Sequence, residues 1–587
     1  MERLKARGQS LRFFLQLAAW AISLPALSPC LAQTAATYHN RADQALQSFL
    51  VKFWNGGQQY LRNNYPDNGS LTGYWTYANG WDALLDGVER TGGQQYYGLI
   101  ESLYLGQNQR GWFVGYYDDE CWMTVALIRA YDLTGNAKYL NQAGILYADI
   151  MAGWDSTCCG VSKGGVWWDK AHTQKATAAN AGAALAGALL YQRTTNATYL
   201  SFAGQVYSYW FTNMVNQATF QVTDHIMPDG TKVFWKFTYN EGLMIGASVE
   251  LNNATGNSGY LTNAHHIAGF MIANEFAATA YGHVLNDGDA TNCTGDCAQF
   301  KGPAYRYLMQ LYSKDKSKTQ YYNLLKASAD AIWNLARNPA SNIFSVNWAG
   351  PFESGADELE DNAACTALSR FAQQFGAYPG SGIPANQSEA ENGTLHNIGL
   401  EATYPGFTGW GYIAGWNGDG QWVDFNMNFA AAGARLLTFR YAAGAGNATR
   451  LIYINGANAF PNQSFPNTGA WSNYNTISLA YNFPAGQSSI SVKFNSSLGS
   501  ANWLNLDNLT VNSAEILITG IVVAPGGNVL LTWTASNGQT YHVQYRDKFT
   551  SGTWINLGGP ITASGPTASA SDTVGTNREH YYRIVNP

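Results

Sequence analysis

From residue 38 to residue 376 apolar positions return every three or four residues, the period of an amphipathic helix. Twelve helices are expected, in six consecutive pairs. The first members fall near 38–54, 95–106, 137–153, 197–215, 258–280 and 319–336. The second members fall near 75–90, 116–133, 175–193, 239–254, 300–313 and 356–376. A recurring phrase marks the bends: a polar turn, an aromatic residue with a partner, then a helix. Thr134-Gly135-Asn136 precedes Tyr139-Leu140, Thr194-Thr195-Asn196 precedes Tyr199-Leu200, and Thr255-Gly256-Asn257 precedes Tyr260-Leu261. Repeated helix pairs stack on one another. Six antiparallel pairs can close into an (α/α)6 barrel, an all-α ring within a ring. The second members carry more Ala and Gly, as from Ala176 to Leu190, and small residues suit a crowded inner ring.

Past residue 377 the period shortens. Gly380 to Ser388 has a linker composition. Trp422 to Met427 and Arg435 to Tyr441 alternate apolar and polar positions, as strands of a β-sandwich do. Val529 to Trp533, Tyr541 to Tyr545 and His580 to Val585 are again strand-like, and Gly526-Gly527-Asn528 marks a hairpin turn. Residues 33–378 are therefore read as a helical barrel, 379–396 as a linker, 397–513 as one all-β sandwich and 514–587 as a second. Residues 1–32 have the basic start, apolar centre and small-residue end of a secretory signal, with cleavage after Ala32. A lipoprotein anchor at Cys30 is the rival reading. A secreted, extracellular or periplasmic chain is expected.

Composition narrows the ligand. The chain has 20 Trp, 36 Tyr and 26 Phe, while only 12% of its residues are charged. Aromatic faces stack on sugar rings, and few charges point to a neutral ligand. Most aromatics must nevertheless fill cores. A net charge of -6 with no basic run past the N-terminus speaks against nucleic acid. No later stretch is apolar for long enough to span a bilayer. A monomer is expected. Loss of Cys30 would leave six cysteines, an even number that suggests disulfides, with Cys293–Cys297 as one small loop. No histidines stand at ligand spacing for zinc, and no metal or cofactor is expected in the helical part.

One stretch carries the chemistry: Gly115-Tyr116-Tyr117-Asp118-Asp119-Glu120-Cys121-Trp122. The apolar run after it reads as a helix, so the two aspartates fall in a first turn. The helix dipole there favours an ionised acid, while aromatic walls raise a carboxyl pKa. Two acids with opposed environments are what cleavage of a sugar linkage needs. An isolated Asp-Asp in a first turn more often caps a helix. The ring geometry alters that balance, because all inner helices start at one mouth. Those starts bring together Trp75; Tyr117, Asp118 and Asp119; Trp167, Trp168 and Asp169; and Tyr239, Asn240 and Glu241. Aromatics, amides and acids from distant sequence would line one cleft.

The stretches Tyr117 to Trp122, Gly164 to Lys170, Thr238 to Gly242, and Phe300-Lys301-Gly302 with Arg306-Tyr307-Leu308 resemble glycoside hydrolase family 76. The resemblance implies an (α/α)6 barrel that hydrolyses internal α-1,6 linkages of mannan with retention of configuration. It carries the nucleophile to Asp118 and the acid/base to Asp119, with subsite roles for Trp168, Asp169, Asn240 and Glu241. Retention wants carboxyl groups about 5–5.5 Å apart, which neighbours at a helix start can reach. Glu401-Ala402-Thr403, Gly411-Tyr412-Ile413, Thr468 to Trp471 and Asn505-Leu506-Asp507 resemble carbohydrate-binding modules of families 6 and 35. That likeness places sugar contacts at Trp471 and Asn505. It also implies a structural calcium on Glu401 and Asp507, against which Thr403 stands where an acid is expected. The last segment resembles a fibronectin type III-like sandwich. Two other functions stay open at this point: a wall-remodelling transglycosylase on the same barrel, and a glycan-binding protein without catalysis.

Overall fold

The computed structural model describes residues 29–585 apart from 93–95, 288–294, 354–355, 377–385, 410, 430–431, 514–515, 517, 536–538, 549–551, 566 and 575–578. Twelve α-helices occupy its first part: α1 Pro29–Phe53, α2 Tyr74–Thr91, α3 Tyr97–Arg110, α4 Tyr117–Thr134, α5 Ala137–Ala152, α6 Thr177–Thr194, α7 Ala197–Met214, α8 Thr238–Thr255, α9 Gly259–Asn274, α10 Lys301–Lys314, α11 Thr319–Asn334 and α12 Glu358–Gln373. The even-numbered helices pack in a circle: α2 on α4, α4 on α6, α6 on α8, α8 on α10, α10 on α12, and α12 back on α2. The odd-numbered helices α1, α5, α7, α9 and α11 cover them.

The sequence explains both layers. α6 is buried at every position from Thr177 to Leu190, and α8 from Thr238 to Leu251. Such helices are mostly apolar or small all round, and the polar residues they bury, such as Asn180 and Glu241, are hydrogen-bonded. A Cβ at Gly242 would stand 2.5 Å from the Ala304 Cα of α10, so glycine sets how closely the two helices approach. The bends follow the expected phrase. Gly92, Gly135 and Gly256 take left-handed C-cap conformations, and Thr195 does so at the bend between α6 and α7. Asn136 and Asn196 then cap α5 and α7, accepting hydrogen bonds from the Lys138 and Thr198 amides.

Two expected boundaries fail. The helix expected over 258–280 stops at Asn274, and Phe276–Thr279 and Gly282–Leu285 form an antiparallel hairpin packed on α11. Glu275 ends the helix because its side chain is buried toward α8. The linker expected over 379–396 is wrong for its described part. Gln387–Glu389 pairs with Asn505–Ser513, and Thr394–His396 pairs with Trp422–Phe429. The polar residues of this segment are tolerated because buried Glu389 and Glu391 are hydrogen-bonded, to Gln387 and Thr408 and to the Gly411 amide.

The first sandwich has one sheet in the order Gly399–Glu401, Tyr412–Ala414, Asn505–Ser513, Gly433–Ala442, Asn475–Phe483. The other runs Thr394–His396, Trp422–Phe429, Gly486–Lys493, Ala448–Ile454, Ala457–Phe465. Trp416, Phe425, Phe439, Tyr441 and Ile490 fill the space between them. This sandwich docks on α3. The Gln59 side chain donates to the Leu395 carbonyl at 2.6 Å, and the Leu395 amide donates to Ser102 at 3.1 Å. A Cβ at Gly98 would meet the Asn392 carbonyl oxygen at 2.5 Å, so the backbones touch there.

The last unit has two small sheets. Ile518–Ala524, Asn528–Thr534 and Thr567–Thr573 form one, with the first two strands joined by the expected hairpin. Thr540–Arg546 centres the other, pairing with Ile555–Asn556, Ile561–Thr562 and Tyr581–Val585. Trp533, Leu531, Tyr541 and Val543 lie between them. No helix among the described residues is long and apolar enough to cross a membrane.

Candidate active site

A groove of about 710 Å³ opens where the inner helices begin. Trp75 comes from α2, Asp118, Asp119 and Trp122 from α4, Ala178 from α6, and Tyr239 from α8. Trp168 and Gln174 reach it from the loop before α6, and Asp296, Gln299 and Phe300 from the segment before α10. The start of α4 is pinned to the loop beside it. The Tyr117 amide donates to the Trp168 carbonyl at 2.8 Å, and the Lys170 amide to the Gly115 carbonyl at 2.9 Å. Glu120, fully buried, takes the Lys170 ammonium at 2.9 Å and the Val114 amide at 3.1 Å.

These contacts treat the two aspartates differently. The Trp168 indole donates to Asp118 Oδ2 at 2.8 Å, and backbone amides of the first turn add donors. The other oxygen, Asp118 Oδ1, is buried without a hydrogen-bond partner. Burial raises Asp118 to about 7 against those donors. Asp119 is raised to about 8, by burial first and then by the charges of Asp118, Asp296 and Glu120. Hydrogen bonds to a carboxylate favour its ionised form, and neighbouring negative charge favours the acid form. Asp118 is thus the member suited to carry the charge and Asp119 the one suited to keep the proton.

The expected site residues divide. Trp75, Asp118, Asp119, Trp168 and Tyr239 line the groove. Tyr117, Trp167, Asp169, Asn240 and Glu241 do not. Tyr117 packs beneath the mouth against Gly153, while Tyr116, 42% exposed, takes the groove position. Trp167 stacks on His172 with Lys175 over its ring. Asp169 closes its own loop through the Thr173 amide and hydroxyl, at 2.8 and 2.7 Å. Glu241 is 1% exposed and accepts from the Val222 amide at 3.1 Å. Burial raises Glu241 to about 8 and Glu275 well above the usual carboxyl range. Both carboxyls lie inside the wall, away from the groove lining.

Asn240 acts one step back. Its amide donates to Asp224 Oδ2 at 3.1 Å, beside the Tyr239 hydroxyl at 2.9 Å. His225 Nδ1 lies 2.6 Å from the other Asp224 oxygen. Asp224 lines the groove with His225, Met227 and Trp235, the last 51% exposed. These four lie on or beside a short hairpin, His225–Ile226 with Lys232–Val233, inserted between α7 and α8. Sequence reasoning passed over them, since an insertion carries no helical period. The Trp-Lys-Phe run at 235–237 was the one available signal.

Among the described residues no group of three or more His, Cys, Asp or Glu side chains could hold a metal ion. The calcium implied for the sandwich does not fit. Glu401 is exposed and takes the Tyr412 hydroxyl, whereas Asp507 is buried and paired with the Arg440 guanidinium. Thr408 links Asp507 instead to Glu389, in the segment first read as linker. Of the module's two expected sugar contacts, Trp471 packs on Gly444 beside Tyr404. Asn505 pairs across the sheet with Ala442, so both stand at one end of the sandwich. Cys158 and Cys159 are joined by a disulfide, and Cys121 and Cys365 are buried thiols. The expected Cys293 partner of Cys297 lies outside the described residues.

Comparisons with known proteins agree with this architecture. Residues 389–513 match the carbohydrate binding module of family 6. The α-1,6-mannanase GH76A of Salegentibacter sp. HEL1_6 is similar in fold, at 24% identity and TM-score 0.52, over 57% of this chain and 98% of that one. A variant of that mannanase with two consecutive aspartates changed is described as inactive, in complex with α-1,6-mannotriose. The Lin0763 protein of Listeria innocua aligns at 27% identity and TM-score 0.52, over 57% and 97% of the two chains. Mannan endo-1,6-alpha-mannosidase DCW1 of Saccharomyces cerevisiae is 26% identical over 284 residues, 44% of this chain and 62% of that protein. An isomaltosyltransferase of Sporosarcina globispora is 29% identical over 133 residues, which is 22% of this chain. The chain spans only 12% of that relative's own length. Residues 37–378 match glycosyl hydrolase family 76, and the chain belongs to that family.

Proposed function

We propose that the chain is a secreted, monomeric endo-α-1,6-mannanase that cleaves with retention of configuration on an (α/α)6 barrel. The observation that carries this reading is the unequal pair in the groove. Asp118 holds a hydrogen-bonded oxygen and presents a bare one; Asp119 sits in a more negative field. Asp118 attacks the anomeric carbon, and Asp119 gives its proton to the leaving oxygen. Asp119 then takes a proton from the water that releases the product. Trp75, Tyr116, Trp168 and Tyr239 supply aromatic surface for the sugar faces, and Asp224 accepts hydrogen bonds from hydroxyls. No cofactor enters these steps.

The family 6 sandwich binds the same polysaccharide through Trp471 and Asn505. Its contact with α3 fixes the module on the barrel, so it holds substrate near the groove without a free tether. The terminal unit, with a fibronectin type III-like pairing of strands, serves as a spacer. The test is digestion of unbranched α-1,6-mannan by the full chain and by Asp118→Asn and Asp119→Asn. Wild type releases new reducing ends and both variants lose turnover. Chain transfer without new reducing ends would replace hydrolysis by transglycosylation, and full activity in both variants would refute the site.

A further inference from the structure

The charges of the groove are one-sided. Its acids are Asp118, Asp119, Asp224 and Asp296, and among the described residues no lysine or arginine lines it. The imidazole of His225 is tied to Asp224. Asp224 is in addition held by Tyr239 and Asn240, and the first two acids are assigned to bond cleavage. Asp296 is left over. It stands on a short 3-10 turn, Gly295–Ala298, across the groove from α4. The turn is anchored from below: Ala298 packs with Val346 and Leu359 under Trp75, and the Gln299 amide donates to Asn79 at 3.0 Å. Asp296 itself is exposed, and among the described residues no cation pairs with it. Its charge reaches both Asp118 and Asp119. A carboxylate on an anchored turn, with no cation partner among the described residues, repels any like charge brought into the groove it lines.

We propose that Asp296 is the charge-selecting residue of this groove: it admits neutral mannan and turns away mannan that bears phosphate or carboxylate substituents beside the scissile linkage. The inference rests on the mannanase reading and names the substrate class within it. A phosphomonoester carries close to two negative charges at neutral pH and would lie beside Asp296 and the Asp118 carboxylate, with no lysine or arginine among the described lining residues. The same carboxylate has a second effect. Asp119 is faced by Asp118 and Glu120 on α4, by Tyr74 on α2 and by Asp296 across the groove. Removing one of these negative charges makes Asp119 easier to ionise.

The experiment compares two α-1,6-mannooligosaccharides, one neutral and one bearing a phosphomonoester, with the full chain as wild type, Asp296→Asn and Asp296→Lys. Wild type is expected to favour the neutral substrate by at least tenfold in kcat/KM. Asp296→Asn narrows that ratio several-fold, chiefly through KM of the phosphorylated substrate, and Asp296→Lys narrows it further. Raising ionic strength narrows the wild-type ratio and leaves the Asp296→Asn ratio almost still. In Asp296→Asn the alkaline limb of the neutral-substrate profile also moves to lower pH. Equal ratios in all three proteins, with the neutral substrate still cleaved, would overturn the role of Asp296 alone. Failure of wild type to cleave either substrate would overturn the mannanase reading, and this inference with it.

Discussion

The two ends of the inner helix ring hold the same kinds of side chain in opposite states. At the far end a cavity of about 550 Å³ is bordered by Glu89, Arg129, Asp132, Arg193, Glu250, Arg306 and Arg370. Asp86, completely buried there, is bridged by Arg129, Arg306 and Arg370. The guanidinium groups outweigh burial and hold Asp86 far below the usual carboxylate range; Glu89 is lowered to about 2. At the mouth no arginine answers Asp118, Asp119 or Glu241, and burial pushes them up to about 7, 8 and 8. Burial is common to both ends, so the arginines make the difference. Of the three, Arg370 also stands in the last turn of its helix, where a cation complements the helix dipole. One end is a charge-neutral plug that closes the ring. The other keeps acids that can still exchange protons near neutrality.

Breaking each end should therefore have a different signature. The largest effect is on turnover at the mouth: Asp118→Asn or Asp119→Asn lowers kcat on α-1,6-mannan by at least about a thousandfold, with the fold retained by circular dichroism. Next comes stability at the plug. Arg306→Met leaves Asp82 and Asp86 short of a partner in the interior, and breaking a buried pair costs about 3–5 kcal/mol in chemical denaturation. Third is the docked module. Leu395→Ala opens a cavity at the α3 contact, where such truncations cost about 2–5 kcal/mol. If barrel and module unfold together, one transition shifts as a whole; two separate transitions would mean a loose tether.

Smaller effects sharpen the contrast through pH. Asp118, Asp119 and Glu241 have raised folded-state pKa values. The stability they contribute is present below the unfolded carboxyl range and is lost as pH rises through about 7 to 8. Asp119→Asn should therefore raise Tm by a few degrees at pH 9 and hardly at all at pH 5. At the plug the sign reverses. Asp86 and Glu89 are lowered, so their contribution is present above the unfolded range and is lost as acid protonates them. Asp86→Asn should cost stability at neutral pH and lose that cost in strong acid.

The helical part of the fold was legible because a 3.6-residue period marks helices such as α2, α7 and α11, while α6 and α8, buried on all sides, are recognisable by their bends and small residues instead. The placement of Asp118 and Asp119 at the groove was legible because both fall in the first turn of an inner helix. What failed was orientation. Asn240 and Glu241 follow Tyr239 directly, but successive residues of a helix turn by about 100 degrees, so only Tyr239 faces the groove. Trp167 and Asp169 flank Trp168 in a loop whose course is fixed by Thr173, His172 and Lys175, contacts that no spacing reveals. The start of the sandwich was missed for a different reason. Gln387 to Glu389 is polar like a linker, and only pairing with Asn505–Ser513 makes it a strand.

The direct test of the unequal pair is the pH dependence of kcat/KM on a short neutral α-1,6-mannooligosaccharide, for wild type and Trp168→Phe. A bell is expected with limbs near 7 and 8, set by Asp118 and Asp119. Loss of the indole donor should move the acid limb to higher pH. Limbs in the ordinary carboxylate range, or a profile that Trp168→Phe leaves unchanged, would contradict the account.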